Sequence, residues 1–281
     1  MNKIKILSIC FLLISFTGCK KTKYDGIKLK KIISETIKNP ECVFYDNETE
    51  TLFISNVNGG TLDLDGNGFI SQFKINGEIL NEKIVVDLNA PKGIYVKDGL
   101  IYITDINRLI IYDLLKEGRD TIFVFDNAES LNDIVVDDDG RIFISDFYAD
   151  KVFEVNKQNI SSLSIKKPNG LYIYNDFLYV GTFQKSTNGN IYRCSLNNSP
   201  IVFESFLTDF GYCDGLYVDE KILVISDFNS SLKIIDIKNK EVVSSVSSKT
   251  GINYGDFYYN SKKIISPSMK NSQIHFLEIT D

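Results

Sequence analysis

The chain has 281 residues, of which 43% are apolar, 24% charged and 12% aromatic, with 18 Gly, five Pro, no Trp and one His. That composition supports a large hydrophobic core and excludes a disordered chain or a small disulfide scaffold. A formal charge of −6 argues against a surface that tracks nucleic-acid phosphates, and the single imidazole, His275, excludes a histidine dyad or a multi-histidine metal site.

Taken in chain order, the first segment reads as a targeting signal. Lys3 and Lys5 precede an apolar run from Ile6 to Phe16, and Thr17-Gly18-Cys19 follows. The run is shorter than the roughly 20 residues of a membrane-spanning helix. It resembles a bacterial lipoprotein signal, with Phe16 where Leu is usual, and the resemblance implies cleavage before Cys19 and a diacylglycerol on its sulfur. Residues 1–18 are therefore expected to be a signal peptide, 19–26 a lipidated cysteine and tether, and 27–281 the folded domain. Lys20 and Lys21 stand where an Asp would signal inner-membrane retention. The expected location is the cell envelope, anchored at the periplasmic face of the outer membrane. Of the other cysteines, Cys42, Cys194 and Cys213 lack metal-ligand spacing and read as buried free thiols, although an oxidising envelope would permit one pair.

The rest of the chain is a repeat. After a β-rich stretch, IKLKKIIS at 27–34, one phrase returns six times: a polar residue, an apolar run, a polar turn and further β-rich runs. The copies are ECVFYDNETETLFISN from Glu41, KGIYVKDGLIYITD from Lys92, NDIVVDDDGRIFISD from Asn132, NGLYIYNDFLYVGT from Asn169, DGLYVDEKILVISD from Asp214 and GDFYYNSKKIISPS from Gly255. Alternation of β-branched and aromatic residues between Asp, Asn and Gly turns predicts strands and hairpins, and helical periodicity is almost absent. A solenoid of such units would need capping repeats and leave edges exposed. Units of roughly 40 residues instead match four-stranded blades set radially, so the predicted fold is an all-β, NHL-like six-bladed β-propeller. The 27–34 stretch is expected to complete the last blade and close the ring. A loop, GGTLDLDGNG, lengthens the first copy. Its Asp63, Asp65 and Asn67 resemble the start of a calcium loop, but Lys74 stands where a bidentate Glu is needed, so it reads as a hairpin connection.

In a propeller the innermost strand of each blade lines the central channel, and one equivalent position per copy forms a ring about the axis. Here that ring reads Glu41, Lys92, Asn132, Asn169, Asp214 and Gly255. Two carboxylates and two amides supply four oxygen donors, a set suited to Ca²⁺, with Mg²⁺ or Mn²⁺ also compatible. The plainer reading is that Asn and Asp start strands by capping turns. It does not account for Glu41, so the metal reading is preferred. Lys92 either orients an anionic substrate or pairs with Glu41 and offsets the ring's charge. The second strands end in Asn56, Asp105, Asp146, Thr182, Asp227 and Ser268, read as side chains that bind turn amides. Tyr45, Tyr95 and Tyr172 read as core.

Four phrases in order, PECVFYD, LNDIVVDDDG, PNGLYIY and CDGLYVDE, resemble the regucalcin/gluconolactonase (senescence marker protein) family over nearly all of residues 27–281, and NAPKG resembles a lipoprotein subgroup of such propellers. Similarity to diisopropylfluorophosphatase and the paraoxonases is more distant. The resemblance implies a divalent cation in the channel held by Glu41, Asn132, Asn169 and Asp214. The family's sugar-lactone hydrolases usually carry Arg two residues before the first Asn, where this chain has Ser130, and the paraoxonase histidine pair has no counterpart. The expected function is metal-dependent hydrolysis of a small lactone or other ester by a monomer, with Asp214 also activating water and Lys92 recognising substrate. The alternative, from a different class, is a non-catalytic propeller that binds a small ligand or a protein partner at the envelope around a structural metal. Fold alone does not choose between them.

Overall fold

The computed structural model describes residues 26–183, 189–228, 231–247, 252–260 and 262–280. The signal segment, Cys19 with its proposed lipid, and most of the tether lie outside the described residues. The described chain forms six four-stranded antiparallel sheets, the blades of a six-bladed β-propeller, with a single 3₁₀ turn at Met269–Asn271. Inner strands run Pro40–Asp46, Pro91–Lys97, Leu131–Val136, Pro168–Tyr174, Cys213–Val218 and Tyr258–Asn260. As expected, the N-terminal strand closes the ring. Gly26–Ile33 pairs with Gln273–Thr280 as the outermost strand of the last blade, from Gly26 opposite Thr280 to Ile33 opposite Ile274.

Burial explains where the alternation in the sequence holds and where it fails. The second strand of each blade is covered on both faces by the adjoining blades. Thr51–Asn56 and Ile222–Asp227 are buried throughout and read as continuous apolar runs. The outermost strands Gly118–Val124 and Asn159–Ser164 are mostly exposed. The core consists of seams between blades, as where Phe53 and Ile70 of blade 1 pack with Ile94, Ile101 and Ile103 of blade 2. Cys42, Cys194 and Cys213 are buried free thiols, as read from their spacing.

One irregularity repeats. In each of the first five blades the register between inner and second strand slips by one residue, as between Pro40–Asn56 and Val43–Ile54, so Glu41 and Cys42 together face Ser55. The second strand's penultimate hydroxyl bonds the extra amide. Ser55 Oγ accepts from Cys42 N at 2.9 Å, Ser145 Oγ from Asp133 N at 3.0 Å and Ser226 Oγ from Gly215 N at 2.6 Å. At this extra position blades 2, 4 and 5 carry Gly93, Gly170 and Gly215; a Cβ would collide with backbone of the next inner strand at the first two and meet the Phe257 ring and Asp256 at the third. Blades 1, 3 and 6 carry Cys42, Asp133 and Asp256, whose side chains share the narrow axis. Blade 6 locks onto blade 1 there, with Asp256 N donating to Glu41 O at 3.0 Å and Val43 N to Asp256 O at 2.9 Å.

Candidate functional site

Five of the six ring residues are second in their inner strands and Gly255 stands just before the last one, and side chains at the ends of the second strands hold the loops that deliver them. Asp105 accepts from Asn89 N at 3.0 Å and Ala90 N at 2.8 Å, and also pairs with Arg108. Asp146 takes Glu129 N at 2.8 Å, Ser130 N at 3.1 Å and Ala149 N at 2.9 Å, while Asn56 Oδ1 takes Lys38 N at 2.9 Å. These residues do what their repeat position implied: they bind turn amides.

Glu41, Lys92, Asn132, Asn169 and Asp214 are all buried, with exposures of 4–8%. Blades 3 to 5 are tied by a relay of amides. Asn132 Nδ2 donates to Asn169 Oδ1 at 2.7 Å, and Asn169 Nδ2 donates to Asp214 Oδ1 at 2.6 Å. Two acceptors, Glu41 Oε2 and Asn132 Oδ1, are buried without a hydrogen-bond partner. Lys92 Nζ donates to Ser130 Oγ at 3.3 Å and lies within electrostatic reach of Glu41, Asp105 and Asp146.

Negative charge is crowded here. Burial, reinforced by Asp214 and opposed by Lys92, holds the Glu41 carboxyl well above the usual carboxylate range. Burial raises Asp214 to about 7 against the hydrogen bond from Asn169, and the same cause lowers the Lys92 ammonium despite the neighbouring carboxylates. A ring of oxygen donors with two orphaned acceptors and raised carboxyls fits a hard divalent cation in its chemistry. Among the described residues no group of three or more His, Cys, Asp and Glu side chains is arranged to hold a metal. Half of the candidate donors here are amides.

The mouth above the ring is asymmetric. On blades 3 to 5 the residues after the second strands are half-buried aromatics: Phe183 stacks near Phe147 at 5.4 Å, Tyr212 at 4.8 Å and Phe228 at 6.0 Å between ring centroids. At the matching places of blades 1, 2 and 6, Val57, Ile106 and Met269 pack together with Ala90. In the sequence the only sign of this wall is an aromatic after the second-strand terminus in copies three to five.

The other end of the channel holds a cavity of about 450 Å³. Asp133, Asp256 and Cys42 lie at its inner end, and Phe44, Tyr45, Tyr95, Tyr172, Tyr217 and Tyr258 stand along it. Tyr45, Tyr95 and Tyr172, expected as core, do pack against buried clusters, but they also line this cavity because the inner strand is a sheet edge facing the axis. Asp133 and Asp256 were missed, since the bulge that turns a second residue to the axis is a cross-strand feature. Burial raises Asp133 to about 7, and burial with the neighbouring carboxylates lifts Asp256 well above the usual range. His275 is remote from the channel chemistry, on the third strand of the last blade. It is buried, its Nε2 lies 3.0 Å from Gln273 Oε1, and burial lowers its pKa.

No protein-family model matches the chain, and no curated protein matches it. Solved structures do. A catalytically inactive variant of virginiamycin B lyase from Staphylococcus aureus with quinupristin aligns at 14% identity and TM-score 0.60, and the selenomethionine-substituted lyase from the same organism at 11% and 0.61. Each alignment covers 90% of this chain and 100% of the other. At such identities the likeness is one of fold, and the fold it shares is the six-bladed propeller.

Proposed function

We propose that the chain is a metal-dependent hydrolase of a lactone or other ester, working at the ring end of the channel, with Glu41, Asn132, Asn169 and Asp214 as the residues that would hold one divalent cation, calcium by preference. The observation that carries this reading is the buried ring of oxygen donors in which Glu41 Oε2 and Asn132 Oδ1 have no partner. The chemistry supplied by a bound cation would be polarisation of the substrate carbonyl and stabilisation of the developing oxyanion. The chain's own residues supply the rest. Asp214, raised to about 7 by burial in the metal-free chain and lowered again by a cation held beside it, would stand as a carboxylate able to accept a proton from the attacking water. Lys92, beside Ser130, places a cation next to the position where lactone hydrolases of the resembled family carry Arg, so an anionic or strongly polar substrate suits this mouth. The aromatic wall of Phe147, Phe183, Tyr212 and Phe228 offers a face for the substrate body.

The regucalcin-type assignment rests on the sequence phrases alone. The lyase chemistry of the structural neighbours is a poorer fit: the inactive variant among them replaces a histidine by alanine, and this chain's only histidine lies off the channel. Anchoring through Cys19 at the outer membrane's periplasmic face belongs to the same proposal, and Cys19→Ala should abolish labelling by a fatty-acid probe and leave an uncleaved precursor.

The enzyme reading is tested by turnover of a panel of anionic and neutral lactones and esters with calcium, magnesium or manganese and with a chelator. Chelator-sensitive turnover lost in Asp214→Ala supports it. The binding-module alternative draws on one observation, that the ring is closed to solvent while an open cavity lies at the other end. Absence of turnover across the panel under metal-replete conditions would give that alternative the lead.

A further inference from the structure

The cavity opposite the ring has its own chemistry. Phe44, Tyr95, Tyr172, Tyr217 and Tyr258 occupy one repeat position in five of the six blades and give it aromatic walls. Neighbouring rings approach one another, Phe44 and Tyr95 at 5.1 Å and Tyr172 and Tyr217 at 5.0 Å between centroids. Asp133 at the inner end is satisfied, because its two oxygens accept from Ile134 N at 2.7 Å and Leu171 N at 2.6 Å. Asp256 is not. It is 7% exposed, it lines the cavity, and its Oδ1 has no hydrogen-bond partner.

A buried carboxyl without a donor, crowded by other carboxyls, keeps its proton unless positive charge reaches it and lets it ionise. Among the described residues no lysine or arginine lines the cavity, and the chain's own cation–π contacts fall on other rings, such as Phe276, Phe69 and Phe143. Acidic side chains surround the opening. Asp46 and Glu50 lie within electrostatic reach of Tyr45, Asp138 of Tyr95 and Asp219 of Tyr172, while Asp137 is already paired with Arg141 at 2.7 Å and its carbonyl accepts from Lys97 Nζ at 2.6 Å. Such a rim draws cations inward.

The nature of the cation follows from what the cavity lacks. A hard divalent ion wants about six oxygen ligands, whereas the inner end offers one open carboxylate oxygen beside a thiol. An ammonium needs only one counter-charge and is held well by π faces. The volume falls in the range of small-molecule sites and exceeds a bare ammonium head, so an apolar body belongs with it.

We propose that this well binds a small organic cation, with its ammonium group toward Asp256 and its apolar body between the rings of Phe44, Tyr95, Tyr172 and Tyr217. The cavity shares no lining residue with the ring, which it touches through the bond from Asp256 N to Glu41 O, and the proposal does not depend on the hydrolase reading.

Calorimetric titration of the full-length chain in detergent with EDTA tests it, using benzyltrimethylammonium, choline, and 3,3-dimethylbutan-1-ol as the uncharged carbon analogue of choline. One cation should bind per chain, choline at least tenfold tighter than its carbon analogue and benzyltrimethylammonium tighter still. Asp256→Asn should weaken choline tenfold or more. Tyr172→Leu should weaken it several-fold and serves if Asp256→Asn fails to fold. Asp214→Ala should retain the binding, which keeps this result separable from failure at the ring. Equal affinity for choline and its analogue, or no binding by protein that melts cooperatively, would overturn the proposal. So would calcium binding, in chelator-free buffer, that Asp256→Asn abolishes and Asp214→Ala leaves intact, because the well would then be a metal site.

Discussion

The two ends of the channel are built by the same inner strands, yet one end is a closed ring of oxygen donors and the other an open aromatic well. The change happens within three residues of each strand, from Glu41 to Phe44 in blade 1 and from Asp214 to Tyr217 in blade 5. The bulge lies between them. By facing two successive residues to the axis, it inserts a layer of Cys42, Asp133 and Asp256 between the ends and crowds it with glycine elsewhere. The lesson is that a propeller channel need not be one site. Its ends are separated by whatever side chains the narrow waist admits.

The comparison breaks entirely if a blade loses its core. Phe53→Ala removes a fully buried ring from the seam between blades 1 and 2 and should cost about 3–5 kcal/mol, lowering the melting temperature and both binding functions together. Asp146→Ala acts on one end. It strips the acceptor from Glu129 N, Ser130 N and Ala149 N near the ring, leaving the buried Ser130 donor unpaired at about 1–3 kcal/mol while the two less buried amides can turn to water. Urea unfolding should show a loss smaller than that of Phe53→Ala, while choline binding in the well persists.

A pH series sharpens the contrast between bare and metal-bound chain. Asp133 and Asp214 are each held at about 7 in the fold against an ordinary 3.8, so the folded chain keeps protons that the unfolded chain releases across that interval. Stability from these two groups is therefore full below about pH 4 and falls as pH rises toward 7. In EDTA, urea midpoints should drop between pH 5 and pH 7.5. Calcium should reduce the drop by supplying charge that lets carboxylates ionise, and should raise the melting temperature through mass action; Asp214→Ala should remove both calcium effects.

The smallest expected effect belongs to Lys92→Met, which keeps most of the stem and removes the charge. It should lower kcat/KM on an anionic ester or lactone about tenfold, or roughly 1.4 kcal/mol, with little change on a neutral one. Equal losses on both would assign Lys92 to offsetting the ring's charge rather than to recognition.

Much of this is legible in the residue pattern alone. The six phrases, their spacing and the IKLKKIIS strand sufficed for the propeller and its closure, since strand alternation and turn residues are local signals. The ring positions were legible for the same reason, as were the amide-binding roles of Asp105 and Asp146. Tyr95 and Tyr172 were not, because an aromatic in an apolar strand reads as core until the strand is known to be a sheet edge on a channel. The sign that could have found the waist was present: the position after each ring residue is Gly in three copies and Cys or Asp in the other three.

By itself, then, the sequence determined the architecture and the six ring positions, because both follow from a period written along the chain. Tertiary structure alone decided who meets whom there. The pairing of Asn132, Asn169 and Asp214, the satisfaction of Asp133 by Leu171 N and the lack of any partner for Asp256 Oδ1 are contacts between blades far apart in the chain. They depend on a one-residue bulge whose position only the cross-strand hydrogen bonds specify.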